Sequence, residues 1–300
     1  MMKSVAVLMG GASAEREVSL VSGAAVAKGL AGAGYRVSTI DPGGDVAALI
    51  AALAPAPDAV FNALHGRYGE DGCVQGILNM LRIPYTHSGL LASALAMHKA
   101  MAKQLFADAG IACAEHRIVS AAELAKGDIL PRPYVLKPLN EGSSVGVRIV
   151  RPGDPVPTSA DDWAAGAEVM VERFIPGREL TVAVMGDRAL AVTEIATDRG
   201  FYDYDAKYAA GGSTHVIPAQ VPARVYDEAM ALAVAAHQAL GCRGVSRADF
   251  RLDGDRLFIL EVNTQPGMTP TSLLPEQAAH AGIPFQELVS WIVEQAEYDR

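Results

Sequence analysis

Cysteine is scarce in this 300-residue chain: Cys73, Cys113 and Cys242 lie far apart and show no Cys-x-x-Cys spacing. Neither a disulfide framework nor a cysteine zinc site is indicated, and a reducing cytoplasm is the simplest compartment. Long apolar runs are missing as well. No stretch approaches 18 uninterrupted apolar residues, and Val5 to Met9 is too short for a secretion-signal core before GGASAERE, so a soluble cytoplasmic protein with no membrane segment is expected. Positive charge is in deficit, with 25 Lys and Arg against 34 Asp and Glu and a net charge of −9. That balance argues against nucleic acid or an anionic membrane surface as the main partner, while leaving room for ATP wherever a few Lys and Arg are placed locally. Neither GxGxxG nor GxxxxGK[ST] occurs, and there is no internal repeat.

What is present is ordinary globular material, 50% hydrophobic and 20% charged, enough for two or three domains. Ser4 to Met9 reads as a strand running into Gly10-Gly11-Ala12-Ser13. A helix from Glu15 follows, with Ser13 as its N-cap. Tyr35 to Ile40 and Ala59 to Leu64 read as further strands around a helix at Val46 to Leu53, and the third strand ends in the loop His65 to Gly72. Strands alternating with helices predict a parallel sheet, whose ligands gather at the carboxyl ends where the Gly10-Gly11 turn and the His65 loop lie. The pattern changes near Pro84 to Ser88. Gly89 to Ala109 then reads as one long helix carrying Lys99, which taken alone reads as a lysine on a solvated helix face.

A smaller α/β unit follows. Tyr134 to Pro138 is a strand that brings Lys137 to its end, before Leu139 to Val147, a Gly/Ser-rich loop able to fold N–H groups and hydroxyls over phosphates or to serve as a plain hairpin connection. Val169 to Glu172 leads into Arg173 to Leu180, an apolar turn against which an adenine could lie. After Ala196 comes a long polar segment containing Tyr202, Tyr204 and Tyr208, which reads as a lid. Helices are expected at Tyr226 to Leu240 and Leu288 to Ala296.

The most informative stretch is Val245 to Ser272. Ala248, Phe250 and Leu252 alternate with Arg247, Asp249 and Arg251, and Phe258, Leu260 and Val262 alternate with Ile259, Glu261 and Asn263, which predicts a hairpin. If the even-numbered residues of both strands face the core, a three-residue loop of Gly254, Asp255 and Arg256 sets Asp249 opposite Glu261. A two-residue turn would separate them onto opposite faces. Arg247, Asp249, Glu261 and Asn263 then share one face. Oxygen ligands without Cys or His suit Mg²⁺, while the spacing alone also fits a solvated sheet face; the polar loop TQPGMTPTS that follows favours the metal.

Five motifs now fall into register: GGASAEREVSLVSG at 10–23, LHGRYGEDG at 64–72, KPLNEGSSVGV at 137–147, FYDYDAKY at 201–208, and SRADF with EVNTQPGMTPTSLLP at 246–275. Together they closely resemble the D-alanine–D-alanine ligase family of the ATP-grasp superfamily, across essentially the whole chain. The resemblance implies an α/β ATP-grasp fold with an N-terminal Rossmann-like domain at 1–87, a central subdomain at 88–171 and a C-terminal subdomain at 172–300. It implies two D-alanine molecules and ATP as substrates, and two Mg²⁺ ions, replaceable by Mn²⁺, on Asp249, Glu261 and Asn263. Lys99, Lys137, Ser143, Ser144 and Lys207 would meet phosphates; Glu172, Phe174 and Ile175 the adenine; Glu179 the ribose. Glu15 and His65 would hold the first D-alanine, Ser143 and Tyr208 would join Glu15 in a hydrogen-bonded set, and Ser272 and Leu273 would hold the carboxylate of the second. Arg247 and the Gly267 N–H would stabilise an oxyanion. Relatives using D-lactate often carry Phe where this chain has Tyr208, so an amine is the expected second substrate. A homodimer is the assembly the resemblance implies; a lactate-using ligase and a non-catalytic nucleotide-binding protein are the alternatives.

Overall fold

The computed structural model describes residues 2–140, 142, 146–155, 168–196 and 212–299. Ser143, Ser144, Lys207 and Tyr208 lie outside the described residues. Strands β1 (Ser4–Leu8), β2 (Arg36–Ile40) and β3 (Ala59–Asn62) form a parallel sheet in the order β2-β1-β3. Helices α1 (Arg16–Gly32), α2 (Val46–Ala52) and α3 (Cys73–Leu81) accompany it. Val5 to Leu8 and Ala59 to Phe61 are buried without interruption, as strands covered on both faces must be.

The long helix expected from Gly89 to Ala109 is two helices, α4 (Leu90–Met97) and α5 (Lys99–Asp108). His98 breaks it: its backbone is extended (φ −87°, ψ 93°) and its Nδ1 accepts the Met101 N–H at 3.3 Å, so it caps α5 and makes Lys99 the first helical residue. A second sheet, antiparallel throughout, orders β4 (His116–Ser120), β7 (Glu168–Arg173), β5 (Tyr134–Pro138) and β6 (Arg148–Val150), beside the short helix α6 (Ala121–Leu124).

The third sheet runs β10 (Thr214–Val216), β9 (Arg188–Ala196), β8 (Arg178–Met185), β11 (Val245–Asp253), β12 (Arg256–Asn263), again antiparallel. Helix α7 (Ala223–Ala239) lays Val225, Ala229, Ala233 and Ala236 on Leu180, Val182, Ala248 and Phe250. Ala102, Phe106 and Ile111 join this core, so α5 packs with the third sheet. Finally α8 (Leu273–His280) and α9 (Phe285–Glu294) return to the beginning of the chain: Leu288, Val289 and Ile292 share a core with Val5, Val7 and Phe61, and also with Ala183 and Val245. That shared core packs β1 and β3 together with β8 and β11.

The hairpin β11–β12 sets Asp249 opposite Glu261 and Arg247 opposite Asn263, but not through the expected loop. Asp253 pairs with Arg256 across a two-residue turn, and a bulge between the Asp249 and Phe250 pairings leaves Leu260 as the extra residue. Outside the bulge Leu257 and Ile259, not Phe258 and Leu260, join the core with Phe250 and Leu252. Phe258 turns to the opposite face with Ala114 and Ile175.

Candidate active site

β1 runs into Gly10 and Gly11, both at positive φ (82° and 79°), and a Cβ on Gly10 would fall 2.7 Å from the Asp41 carboxylate. Only glycine permits this turn. Asp41 receives the Gly11 N–H at 3.0 Å and Arg16 Nη2 at 2.5 Å, and the hydrogen bond from Arg16 holds its carboxyl well below the usual carboxylate range. The turn delivers Glu15, 5% exposed, one residue ahead of α1. Ser13 is not the cap of α1. Its Oγ accepts the Glu15 N–H at 3.1 Å and donates to the His65 carbonyl at 2.6 Å, tying the first glycine turn to the loop after β3.

Glu15 Oε2 lies 2.5 Å from where a Cβ on Gly66 would be and 3.4 Å from one on Gly142. The carboxylate is therefore wedged between the His65 loop and the Gly/Ser loop that follows β5. The buried His65 ring has Nε2 3.2 Å from Ser22 Oγ and Nδ1 3.0 Å from Glu70 Oε1. Ser22 Oγ accepts the Met268 N–H at 3.3 Å, which joins the first sheet to the loop after β12. Gln265 makes a second joint, accepting from Asn62 Nδ2 at 2.7 Å and donating to the Leu64 carbonyl.

On the third sheet Arg247 grips Asp249 with two hydrogen bonds, Nε to Oδ1 at 2.9 Å and Nη2 to Oδ2 at 2.8 Å. Thr181 Oγ1 donates to Oδ1 at 2.6 Å and Asn263 Nδ2 to Oδ2 at 3.0 Å, so each Asp249 oxygen receives two donors and the carboxylate is fixed. Asn263 turns its N–H₂ to Asp249, and Asn263 and Glu261 line the same cleft. Two carboxylates and an amide oxygen on one face make an all-oxygen donor set of the kind a hard divalent cation takes. Glu70, Lys99, Gly142, Glu261, Asn263 and Thr264 line one small cleft here. Lys99 stands at the first position of α5, where the helix dipole opposes a cation, so its placement serves something other than helix stability.

Toward the second sheet, Lys137 at the end of β5 bonds Glu172 Oε2, and Lys103 Nζ approaches Oε1 to 2.6 Å. Glu172 is 2% exposed; burial pushes its carboxyl up, but the two ammonium groups outweigh burial and hold it at about 2. For Lys103 burial pushes down, and Glu172 turns the balance upward. Next to them Ile175, Ala114 and Phe258 form an apolar patch, with the guanidinium groups of Arg173 and Arg256 5.5 and 5.0 Å from the Phe258 ring centre. Phe174 is tethered through its N–H to the Pro133 carbonyl at 3.3 Å. Arg251 sets the connection between the sheets by donating to the Ile175 and Gly177 carbonyls at 3.2 and 2.7 Å, and lies 3.3 Å from Glu179 Oε2.

At the other end a Cβ on Gly267 would sit 2.8 Å from Ser272 Oγ. Ser272 Oγ accepts the Thr269 N–H at 3.0 Å, and Ser272 precedes α8. The Leu273 side chain is buried against Ile195, leaving its N–H, in the first turn of α8, as the group that can meet a carboxylate.

A family model described as D-ala D-ala ligase C-terminus matches residues 105–294, and one described as D-ala D-ala ligase N-terminus matches residues 47–88. The chain belongs to the D-alanine–D-alanine ligase family. D-alanine–D-alanine ligases of Paramagnetospirillum magneticum and Rhodospirillum rubrum are 63% and 62% identical to it, each over 100% of both chains. Among solved structures, the D-alanine–D-alanine ligase of Bacillus anthracis complexed with ATP is similar with a TM-score of 0.82 at 28% identity, covering 98% of this chain and 97% of that one.

Within this ligase-family fold local contacts link the described candidates: Glu15 meets Gly142, Lys99, Glu261 and Asn263 line one cleft, Arg247 and Asn263 hold Asp249, Lys137 holds Glu172, and Ser22 joins His65 to the loop that carries Gly267. Sequence reasoning missed Lys103, Ser22, Thr181 and Arg251. Lys103 had a usable signal: it interrupts the apolar stripe of α5 between Ala102 and Phe106, where a solvated lysine has no place. Ser22 and Thr181 had none, because small hydroxyl residues fit any covered helix or strand.

Proposed function

We propose that this chain joins two molecules of D-alanine to D-alanyl-D-alanine at the expense of ATP, through a D-alanyl phosphate, in the cytoplasm and as a homodimer, for building peptidoglycan precursors. The observation that carries this reading is the joint at Ser22, which sets the crevice around Glu15 and His65 beside the loop leading from the acidic face of β11 and β12. One substrate site and one phosphate site thereby share a floor.

Glu15 receives the ammonium of the first D-alanine, with His65 held against it by Ser22 and Glu70. The carboxylate of that D-alanine then faces the γ-phosphate of ATP. Lys99 and Lys137, with Ser143, Ser144 and Lys207 from the loops, hold the phosphate oxygens for in-line attack. Asp249, Glu261 and Asn263 would hold two Mg²⁺ or Mn²⁺ ions, which when bound neutralise charge on the transferring phosphoryl group. Glu172, Phe174 and Ile175 receive the adenine and Glu179 the ribose. Ser272 and the Leu273 N–H orient the carboxylate of the second D-alanine, whose amine, after losing the proton of its ammonium form, attacks the acyl carbon and displaces phosphate. Arg247 and the Gly267 N–H then meet the oxyanion, where one such donor is typically worth about 3 kcal/mol. Its two bonds to Asp249 hold Arg247 at the acidic face of β11. Tyr208 and Ser143 are assigned to complete the set with Glu15, and a tyrosine at 208 favours an amine over D-lactate.

The test is phosphate release from ATP in the presence of D-alanine, L-alanine or D-lactate. Release stimulated by D-alanine, with D-alanyl-D-alanine as product, is expected. Release no faster with D-alanine than with ATP alone sinks the proposal, and equal stimulation by D-lactate redirects it to an ester-forming ligase.

A further inference from the structure

Glu172 carries two lysines, one more than neutrality requires. Lys137 reaches it from the mouth of the site with its side chain 13% exposed; Lys103 reaches it from inside α5 at 1% exposure. Taking a second ammonium out of water is unfavourable, so the surplus needs an account. We propose that Lys103 is a positioning residue for nucleotide binding, the resident counter-charge that keeps Glu172 ionised and in place while Lys137 transfers to a phosphate oxygen. The inference rests on the reading that Lys137 meets phosphate and Glu172 the adenine edge.

The geometry separates the two cations. Lys137 ends β5, directly before the loop that runs past Glu15, and its partner is Glu172 Oε2. Lys103 is rooted between Ala102 and Phe106, both packed into the core of the third sheet, and cannot follow. Were Lys137 the only cation here, its departure would leave a carboxylate 2% exposed with no counter-ion. With Lys103 Nζ 2.6 Å from Oε1, Lys137 exchanges one anion for another and the carboxylate stays an acceptor only. An ionised acceptor receives the exocyclic amine of adenine and repels the oxo group that inosine carries at the same ring position. Lys103 therefore contributes to base choice without touching the base.

The proposal predicts that Lys103→Met raises KM for ATP by about tenfold or more, while kcat at saturating ATP stays within about threefold and KM for D-alanine is unchanged. The double variant Lys103→Met with Glu172→Gln leaves no bare carboxylate. It should recover most of the KM for ATP but discriminate poorly between ATP and inosine triphosphate, because an amide can donate as well as accept. Equal KM for ATP in wild type and Lys103→Met, or a double variant no better than the single, overturns the proposal. A double variant that recovers KM yet still rejects inosine triphosphate keeps Lys103 in its role and removes Glu172 from the base. Lys137→Met supplies an arm that does not depend on Lys103→Met folding. Its melting temperature should stay within about 2 °C of wild type because Lys103 alone satisfies Glu172, and a loss above about 5 °C overturns the idea.

Discussion

His237 illustrates how one buried side chain sets a pH limit. It lies in the last turn of α7 with Nδ1 2.7 Å from Ser246 Oγ, the residue before Arg247. Burial lowers its pKa from 6.5 to about 4, so it is neutral in the folded protein where the unfolded chain would bind a proton. The stability this represents is complete above pH 6.5 and is lost as pH falls toward and through 4. Between pH 6.5 and 4.5 the loss is about 2 kcal/mol from this group. Urea titrations of wild type and His237→Asn should therefore converge as pH drops, with the wild type falling more steeply by roughly that amount. Parallel curves for the two proteins would exclude the assignment. His87, fully buried edge-on to Phe61 and with its pKa lowered to about 3 by burial, adds acid sensitivity of the same sign. Neither histidine was marked by its neighbours in sequence. A site histidine such as His65 sits in a glycine-rich loop and can be suspected, whereas His237 sits on an ordinary helix and its burial comes from the sheet beneath it.

At the scale of elements, alternation in the sequence revealed the hairpin and the opposition of Asp249 to Glu261, but the route between them was misread. Period-two alternation fixes faces only while it is unbroken, and Leu260 breaks it. The turn is shorter than expected by one residue and the bulge restores that residue, so two departures cancel at the acidic pair. The break between α4 and α5 was hidden for a different reason. His98 has no helix-breaking character of its own, and it ends one helix only because its side chain caps the next. His98→Ala should cost about 1 kcal/mol of unfolding free energy and raise KM for ATP more than KM for D-alanine, because the capped turn begins with Lys99. His98→Asp should retain or improve stability while keeping both constants. Urea denaturation with steady-state kinetics decides it; an alanine variant with unchanged midpoint would show that the cap contributes nothing.

For the molecule as a whole, the question is what keeps three sheets in register around the candidate site residues. The shared core of α9 with the first sheet supplies bulk, and its apolar periodicity was readable. The polar fastening was not, since it joins positions more than 200 residues apart. Asp299 Oδ2 accepts from the Leu90 N–H at 2.9 Å, Asn79 Nδ2 at 3.1 Å and the Tyr85 hydroxyl at 3.2 Å, and its Oδ1 pairs with Arg243, whose guanidinium also stacks 4.8 Å from the Tyr85 ring centre. One carboxylate thus ties the end of α3, the exit from the first sheet, the start of α4 and the loop entering β11. Of these segments, α3 follows the His65 loop, α4 leads toward Lys99, and the loop entering β11 leads into Arg247. Its side chain is 36% exposed, so solvent screens the pairing, and Asp299→Ala should lower unfolding free energy by only about 1–2 kcal/mol. Asp299→Asn should lose about half of that, because an amide still accepts from the Leu90 N–H but no longer attracts Arg243. With the apolar core intact, the urea m-value should not change and activity at low temperature should stay within about twofold of wild type, the difference emerging as earlier heat inactivation. A midpoint shift below about 0.3 kcal/mol in the alanine variant would show that burial alone holds the sheets together.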